Sequence, residues 1–289
     1  MGHFRRKRLS RYDLAHRAGA RQIRRPGWGQ WVGTAGRLEA CSSEIEIRWA
    51  ALNRSCQDRA SQTRLARLID RLGSTDRGTY ESALAELELA TLLMRAGFAV
   101  RFLPESQSRT ADLECFLGSD RLNVEVTALI GSRKRRSAGS GSPRRLCLED
   151  EEEEPVGVEL MNRLMARIAQ KARQLADYCS PVLLAITVPR SDPRAEKLRK
   201  NPREVLDLKR LAGAVTVLLP LLPQVSAVLL SFWEIDPTPA KSGVRLANVQ
   251  VAERSARQSA YPRVRMLIAN PAASSPLSHR HAEALTGLL

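Results

Sequence analysis

The sequence lacks the features that mark membrane-spanning or secreted proteins. No apolar run reaches the roughly 18–20 residues that a membrane-spanning helix requires, and the charged amino terminus has no apolar stretch of the kind found in a signal peptide. The five cysteines are widely spaced and form no Cys-x-x-Cys pair, so neither a disulfide framework nor a zinc site is indicated. These absences predict a cytoplasmic protein with reduced cysteines.

Acidic residues are fewer than basic ones. The 289 residues include 46 Lys and Arg but only 31 Asp and Glu, which gives a formal net charge of +15. Such a balance favours a polyanionic partner, with nucleic acid ahead of an anionic membrane surface. The sequence also lacks a Walker loop, a Rossmann glycine fingerprint and a serine nucleophile elbow, so these enzyme classes find no support.

The first part of the chain is strongly basic and has little apolar periodicity. Residues 1–40 carry ten Lys or Arg against only Asp13 and Glu39, and glycine is frequent. These features predict a flexible basic arm over residues 1–60, followed by one α/β domain over 61–289. The arm either contacts nucleic-acid phosphates or is a solvated tail, and its composition alone leaves both alternatives open.

Beyond this arm the apolar spacing alternates between helical and strand-like periods. A charged segment over 131–155 interrupts the pattern; its first half is basic and its second half acidic, which is typical of a solvated loop. The order of elements indicates an α/β fold around a central sheet, with an extension over 200–289. The predicted helices are 65–72, 79–96, 156–178 and 202–219, and the predicted strands are 98–103, 112–117, 122–128, 182–188, 227–233 and 264–269.

Two carboxylates fall on neighbouring strands of one predicted hairpin. Asp112 begins the first strand, and Glu125 lies in the next, on the face opposite its Leu and Val residues. A buried charge needs a partner, and a divalent ion such as Mg²⁺ or Mn²⁺ removes the repulsion between two carboxylates. Alternatively, Asp112 caps the start of its strand and Glu125 pairs with an arginine on a neighbouring strand.

This arrangement resembles the PD-(D/E)XK nuclease superfamily, which has the restriction-endonuclease-like fold. The resemblance implies a core of helix, three strands, helix and strand with a central mixed sheet, and it covers about residues 79–190. The family's first acid is matched in Thr110-Ala111-Asp112 and its second in Glu125-Val126-Thr127. The acid that often joins the site from the preceding helix is matched best by Glu86, with Glu88 as the second choice.

The sequence departs from the family motif at its lysine, which is replaced by Thr127. In some members of the superfamily this lysine lies on the next helix, where Lys171 is the candidate. At 100° per residue, one stripe of the predicted helix carries several polar side chains that include a Gln-x-x-x-Tyr pair. These residues are Arg167, Lys171, Gln174 and Tyr178.

The resemblance implies a metal-dependent nuclease that hydrolyses phosphodiester bonds, in DNA more than in RNA. Asp112 and Glu125 are the implied metal ligands, Glu86 assists them, and Lys171 orients water or stabilises charge. The implied substrate-binding residues are Gln174, Tyr178, Thr127 and Arg167. Because Thr127 cannot carry a positive charge, a nuclease-fold protein that binds nucleic acid without cleaving it is the main alternative, and a non-enzymatic scaffold is the third.

The charge distribution predicts salt-sensitive binding to nucleic acid. Removing residues 1–40 deletes ten basic and two acidic residues, a change of −8 in formal charge. We expect the truncated chain to bind all DNA sequences more weakly and with a shallower salt dependence, since each duplex phosphate contact contributes a log–log slope of about −0.9. Fluorescence anisotropy across a salt titration measures this, and an unchanged slope would show that the arm does not contact DNA.

Overall fold

The structure is a computed structural model that describes residues 35–104, 111–130, 156–189, 206–233, 246–255 and 261–289. Most of the predicted basic arm and the predicted charged loop over 131–155 lie outside these ranges. None of the described helices combines the length and the apolar character that crossing a bilayer requires.

The described part of the chain forms six α-helices, of which the first three precede the sheet. Asp58 and Asp76 cap the second and third helices, because each side chain accepts a backbone N–H of the first turn, from Ser61 and Thr79 respectively. Leu219–Leu221 continues the fifth helix as a single 3₁₀ turn. The helices are α1 Ala35–Ser55, α2 Arg59–Leu72, α3 Arg77–Arg95, α4 Val156–Gln174, α5 Leu208–Leu218 and α6 His279–Thr286.

Within the described ranges, seven strands form one open, mixed sheet in the order β1-β2-β3-β4-β5-β7-β6. The first three strands are antiparallel, β3, β4 and β5 are parallel, and β7 runs antiparallel to both β5 and β6. The predicted α/β class with a central sheet is therefore confirmed. The strands are β1 Ala99–Phe102, β2 Leu113–Leu117, β3 Asp120–Ala128, β4 Val182–Val188, β5 Ala227–Phe232, β6 Val249–Glu253 and β7 Val264–Ala269.

Helices cover both faces of the sheet, so its central strands are buried on both sides. Along β4, Leu183 and Ala185 join the apolar core that includes residues of α1, α2 and α3. Leu184 and Ile186 point the other way and join the core that includes residues of α4 and α5. This explains the nearly continuous apolar sequence of β4, since a strand with two buried faces does not alternate between apolar and polar residues.

The β2–β3 hairpin has a tighter connection than the four residues that separate the two predicted strands. Leu117 pairs with Asp120, which leaves Gly118 and Ser119 as the two turn residues. Gly118 has a φ of +66°, a conformation that other residues adopt only with strain. The turn therefore fixes the register between β2, which directly follows Asp112, and β3, which contains Glu125.

Helix α6 holds this hairpin at its turn. The Ser278 hydroxyl donates a hydrogen bond of 2.9 Å to the Asp120 carboxylate, and the His281 ring Nε2 lies 3.3 Å from the Asp120 carbonyl oxygen. His281 is buried and stacks on the Phe98 ring with 6.0 Å between the ring centroids. Neither α6 nor β6 is among the elements predicted from the sequence.

The predicted flexible arm over residues 1–60 is too long. Residues from Ala35 to Ser55 form α1, and Ile45 and Leu52 of this helix are buried in the apolar core. The apolar positions Ile45, Trp49 and Leu52 are spaced by four and three residues, which places them on one helical face. The charged residues between them hid this periodicity, and the basic segment without described structure is residues 1–34.

The burial of α1 can be tested with two substitutions on the same helix. Leu52 is 0% exposed, whereas Ile47 is 64% exposed. We expect Leu52→Ala to lower the free energy of unfolding by about 2–5 kcal/mol, and Ile47→Ala to change it by less than about 0.5 kcal/mol. Urea denaturation followed by circular dichroism measures both. If both substitutions change the free energy of unfolding by equal and small amounts, α1 is not packed in the core and belongs to a peripheral arm.

Candidate active site

Asp112 lies directly before β2 and fills the space beside β3 where β2 has not yet begun. Its N–H donates to the Val124 carbonyl at 3.0 Å, and its Oδ2 accepts the Val126 N–H at 2.8 Å. Leu113 pairs with Val124, so extending this register by one residue sets Asp112 opposite Glu125. Asp112 thus satisfies a strand amide and at the same time lies beside the second predicted acid.

Glu125 is the buried acid of β3, and it contacts α4. Its side chain is on the face of β3 opposite Val124, and the residue is 4% exposed. The Lys171 ammonium donates a hydrogen bond to Glu125 Oε1. Lys171 directly precedes Ala172, a buried residue of the apolar stripe of α4. This position brings the Lys171 ammonium to the sheet. The structure therefore brings together the second acid and the lysine that the sequence proposed as its partner.

Glu86 reaches the same place from α3, but two arginines hold it. Arg64 of α2 donates to Glu86 Oε1 from Nε at 3.1 Å, and Arg71 donates to Glu86 Oε2 from Nη1 at 2.9 Å. Glu86 is 2% exposed. Both carboxylate oxygens of this predicted site residue are thus engaged by guanidinium groups.

Arg64 also joins Glu86 to Asp112. Its Nη2 lies 3.0 Å from Glu86 Oε1 and 3.0 Å from Asp112 Oδ1. Neither arginine is among the residues predicted for the site, although the sequence contains a signal. Arg64 falls on the buried stripe of α2, three residues after Ser61 and four before Leu68, and Arg71 follows after two further turns.

The remaining predicted residues lie at different distances from these acids. The Tyr178 hydroxyl accepts the N–H of Ala111 at 2.6 Å and so supports the backbone next to Asp112. Thr127 is buried on β3, two residues from Glu125 and on the same face. Gln174 is the half-buried last residue of α4. Arg167 donates to Gln170 at 3.0 Å on the exposed side of α4, and this contact does not involve the acids.

The charged side chains of the site alternate in sign along a line of contacts, except between Asp112 and Glu125. Arg71, Glu86, Arg64 and Asp112 follow one another with opposite signs, and Glu125 and Lys171 form a second pair. In the described part of the chain, no side-chain cation forms an ion pair with both Asp112 and Glu125, although the charge of Lys171 acts on both carboxylates. Burial and the neighbouring Asp112 charge raise the pKa of Glu125 to about 7, even though Lys171 acts to lower it. Burial, and then Asp112, also raise the pKa of Glu86 against the opposing effect of its arginines.

The donor set at this place is small. Among the described residues, no group of three or more His, Cys, Asp or Glu side chains is arranged to hold a metal ion. Two carboxylates are nevertheless the kind of protein donor set that Mg²⁺ takes, since this ion retains several of its waters. Asp112 and Glu125 are therefore the residues that would hold such an ion.

Comparisons of the chain with protein-family models, with curated proteins and with solved structures give no match. The functional interpretation therefore depends on the arrangement of these side chains.

The buried position of Glu125 predicts a pH dependence of stability. Its pKa in the folded protein, about 7, exceeds the ordinary 4.5, so the folded protein keeps a proton that the unfolded chain releases. This contribution is present below about pH 4.5 and is lost as the pH rises through about 7. In EDTA, we expect the free energy of unfolding of the wild type to fall relative to that of Glu125→Gln between about pH 5 and pH 8. Urea denaturation at each pH measures the difference, and a constant difference would contradict the raised pKa.

Proposed function

We propose that this protein is a metal-dependent nuclease with a restriction-endonuclease-like core, acting on phosphodiester bonds of DNA more than of RNA. The contact between Lys171 and Glu125 carries this proposal. The family motif has its lysine two residues after the second acid, where this chain has Thr127. An ammonium that arrives from α4 supplies the missing charge at the same acid.

The order of the elements supports the proposal. Helix α3, strands β1 to β3, helix α4 and strand β4 follow one another in the order that the resemblance implies. The acids stand at the corresponding positions: Asp112 immediately before β2, and Glu125 within β3. The assignment thus draws on topology and side-chain contacts together.

In this proposal Asp112 and Glu125 hold the divalent ion. Each carboxylate oxygen has two lone pairs, so one hydrogen bond per oxygen leaves capacity for a further contact. When bound, Mg²⁺ would lower the pKa of a coordinated water and neutralise charge on the phosphodiester. The Val126 N–H and Arg64 fix the Asp112 carboxylate, so that it does not have to be ordered when substrate arrives.

Lys171 has two roles in this scheme. Its contact with Glu125 keeps that carboxylate turned toward α4, and its remaining N–H groups are available to orient the attacking water or to meet the negative charge of the phosphate. Tyr178 keeps the Ala111 backbone, and with it Asp112, in place. Preorganised donors of this kind act where charge develops in the transition state.

One observation favours the alternative of binding without cleavage. Arg64 already supplies a cation between Glu86 and Asp112, and buried carboxylates paired in this way are also found where a charge network is purely structural. In that case the protein would bind nucleic acid through its excess positive charge and leave it intact.

Cleavage of supercoiled plasmid and of single-stranded DNA in Mg²⁺, Mn²⁺ or EDTA tests the proposal. We expect cleavage that EDTA abolishes, and we expect Lys171→Met to reduce its rate by about 10²–10³-fold, as is typical of a lost transition-state donor. Binding should change little, because the lost interaction belongs mainly to the transition state.

The matched control is Arg173→Met, which removes one positive charge from an exposed position of the same helix. It should cleave at the wild-type rate. Circular dichroism must show that the Lys171→Met protein is folded. DNA binding without metal-dependent cleavage in the wild type would favour the alternative, and wild-type cleavage by Lys171→Met would remove Lys171 from the mechanism.

A further inference from the structure

Arg64 is a buried guanidinium that serves two carboxylates at once. The residue is 7% exposed. Its Nη2 lies 3.0 Å from an oxygen of Glu86 and 3.0 Å from an oxygen of Asp112, and its Nε donates to Glu86 as well. A cation is thus fixed between two acids that come from different elements, α3 and the start of β2.

This position is one that a metal ion takes in many sites built from carboxylates. Two buried carboxylates repel each other unless a cation lies between them, and either a divalent ion or a guanidinium can serve. Here the protein supplies the guanidinium from α2. Glu86 has no oxygen left without a guanidinium contact, since Arg71 engages the other one.

We propose that Arg64 is a built-in counter-ion that takes the place of a metal ion between Glu86 and Asp112. Glu86 then anchors Arg64 and is not a metal ligand, and Arg64 is a positioning residue for Asp112. This inference rests on the proposed function only for its consequence, which is that the nuclease site admits a single divalent ion, on the Glu125 side of Asp112. The site keeps its arrangement whether or not that ion is bound.

The test counts Mn²⁺ ions bound to the full chain by electron paramagnetic resonance, and records the melting temperature with Mn²⁺ and with EDTA. Arg64→Met leaves Glu86 and Asp112 facing each other without the guanidinium that joins them. We expect this variant to bind one more Mn²⁺ than the wild type, and we expect Mn²⁺ to raise its melting temperature more than that of the wild type.

Arg71→Met is the matched control. It removes the same charge from the same glutamate but leaves Arg64 between the two acids, so its Mn²⁺ count should equal that of the wild type. The double variant Arg64→Met/Glu86→Gln removes one of the facing carboxylates, and we expect it to lose the additional ion.

An Arg64→Met protein that binds no more Mn²⁺ than the wild type would overturn the inference, as would one whose melting temperature Mn²⁺ raises no more than that of the wild type. An additional ion in Arg71→Met would overturn it too. The proposed function fails separately. A wild type that binds no Mn²⁺ and cleaves no DNA would refute the nuclease, whereas a gain of one ion in Arg64→Met would still establish the counter-ion.

Discussion

Two buried carboxylates and a half-buried one that lie beside one another set the main constraint on this molecule. Glu86, Asp112 and Glu125 come from a helix and two strands, and their mutual repulsion has to be offset wherever the three elements meet. The offset comes from Arg64 and Arg71 on α2 and from Lys171 on α4. Helices on opposite faces of the sheet are therefore tied to one end of the same hairpin by charge, in addition to their apolar packing.

The two-sided sheet makes this arrangement possible. Strand β3 has α3 on one face and α4 on the other, so side chains from both layers can reach the point where β2 begins. Asp112 occupies that point because its carboxylate accepts the Val126 amide in place of a strand partner. The Asp112 carboxylate thus completes the sheet with Oδ2 and contacts the Arg64 guanidinium with Oδ1.

Much of the fold follows from local sequence, and so does part of the site. Apolar periods place α2, α3, α4 and the strands around Gly118, and the family resemblance, together with the polar stripe of α4, points to Lys171. Arg64 was not predicted as a site residue because an arginine on an amphipathic helix is usually solvated. Only its position on the buried stripe of α2 indicates that it is buried. The register that sets Asp112 opposite Glu125 depends on a turn of two residues, Gly118 and Ser119, whereas the predicted strands leave four residues between them. Helix α6 was not predicted because the burial of His281 depends on its contact with Asp120, which is 161 residues away in sequence.

The contact of α6 with the hairpin turn joins two parts of the chain that are synthesised at different times. During synthesis, the hairpin with Asp112 and Glu125 leaves the ribosome long before Ser278 and His281, which lie 158 and 161 residues after Asp120, so the turn at Asp120 at first has no partner from α6. Contacts of such large sequence separation form slowly. A nascent chain would therefore hold its acids on a hairpin that is free at its tip, and its final geometry would be reached only after α6 has emerged.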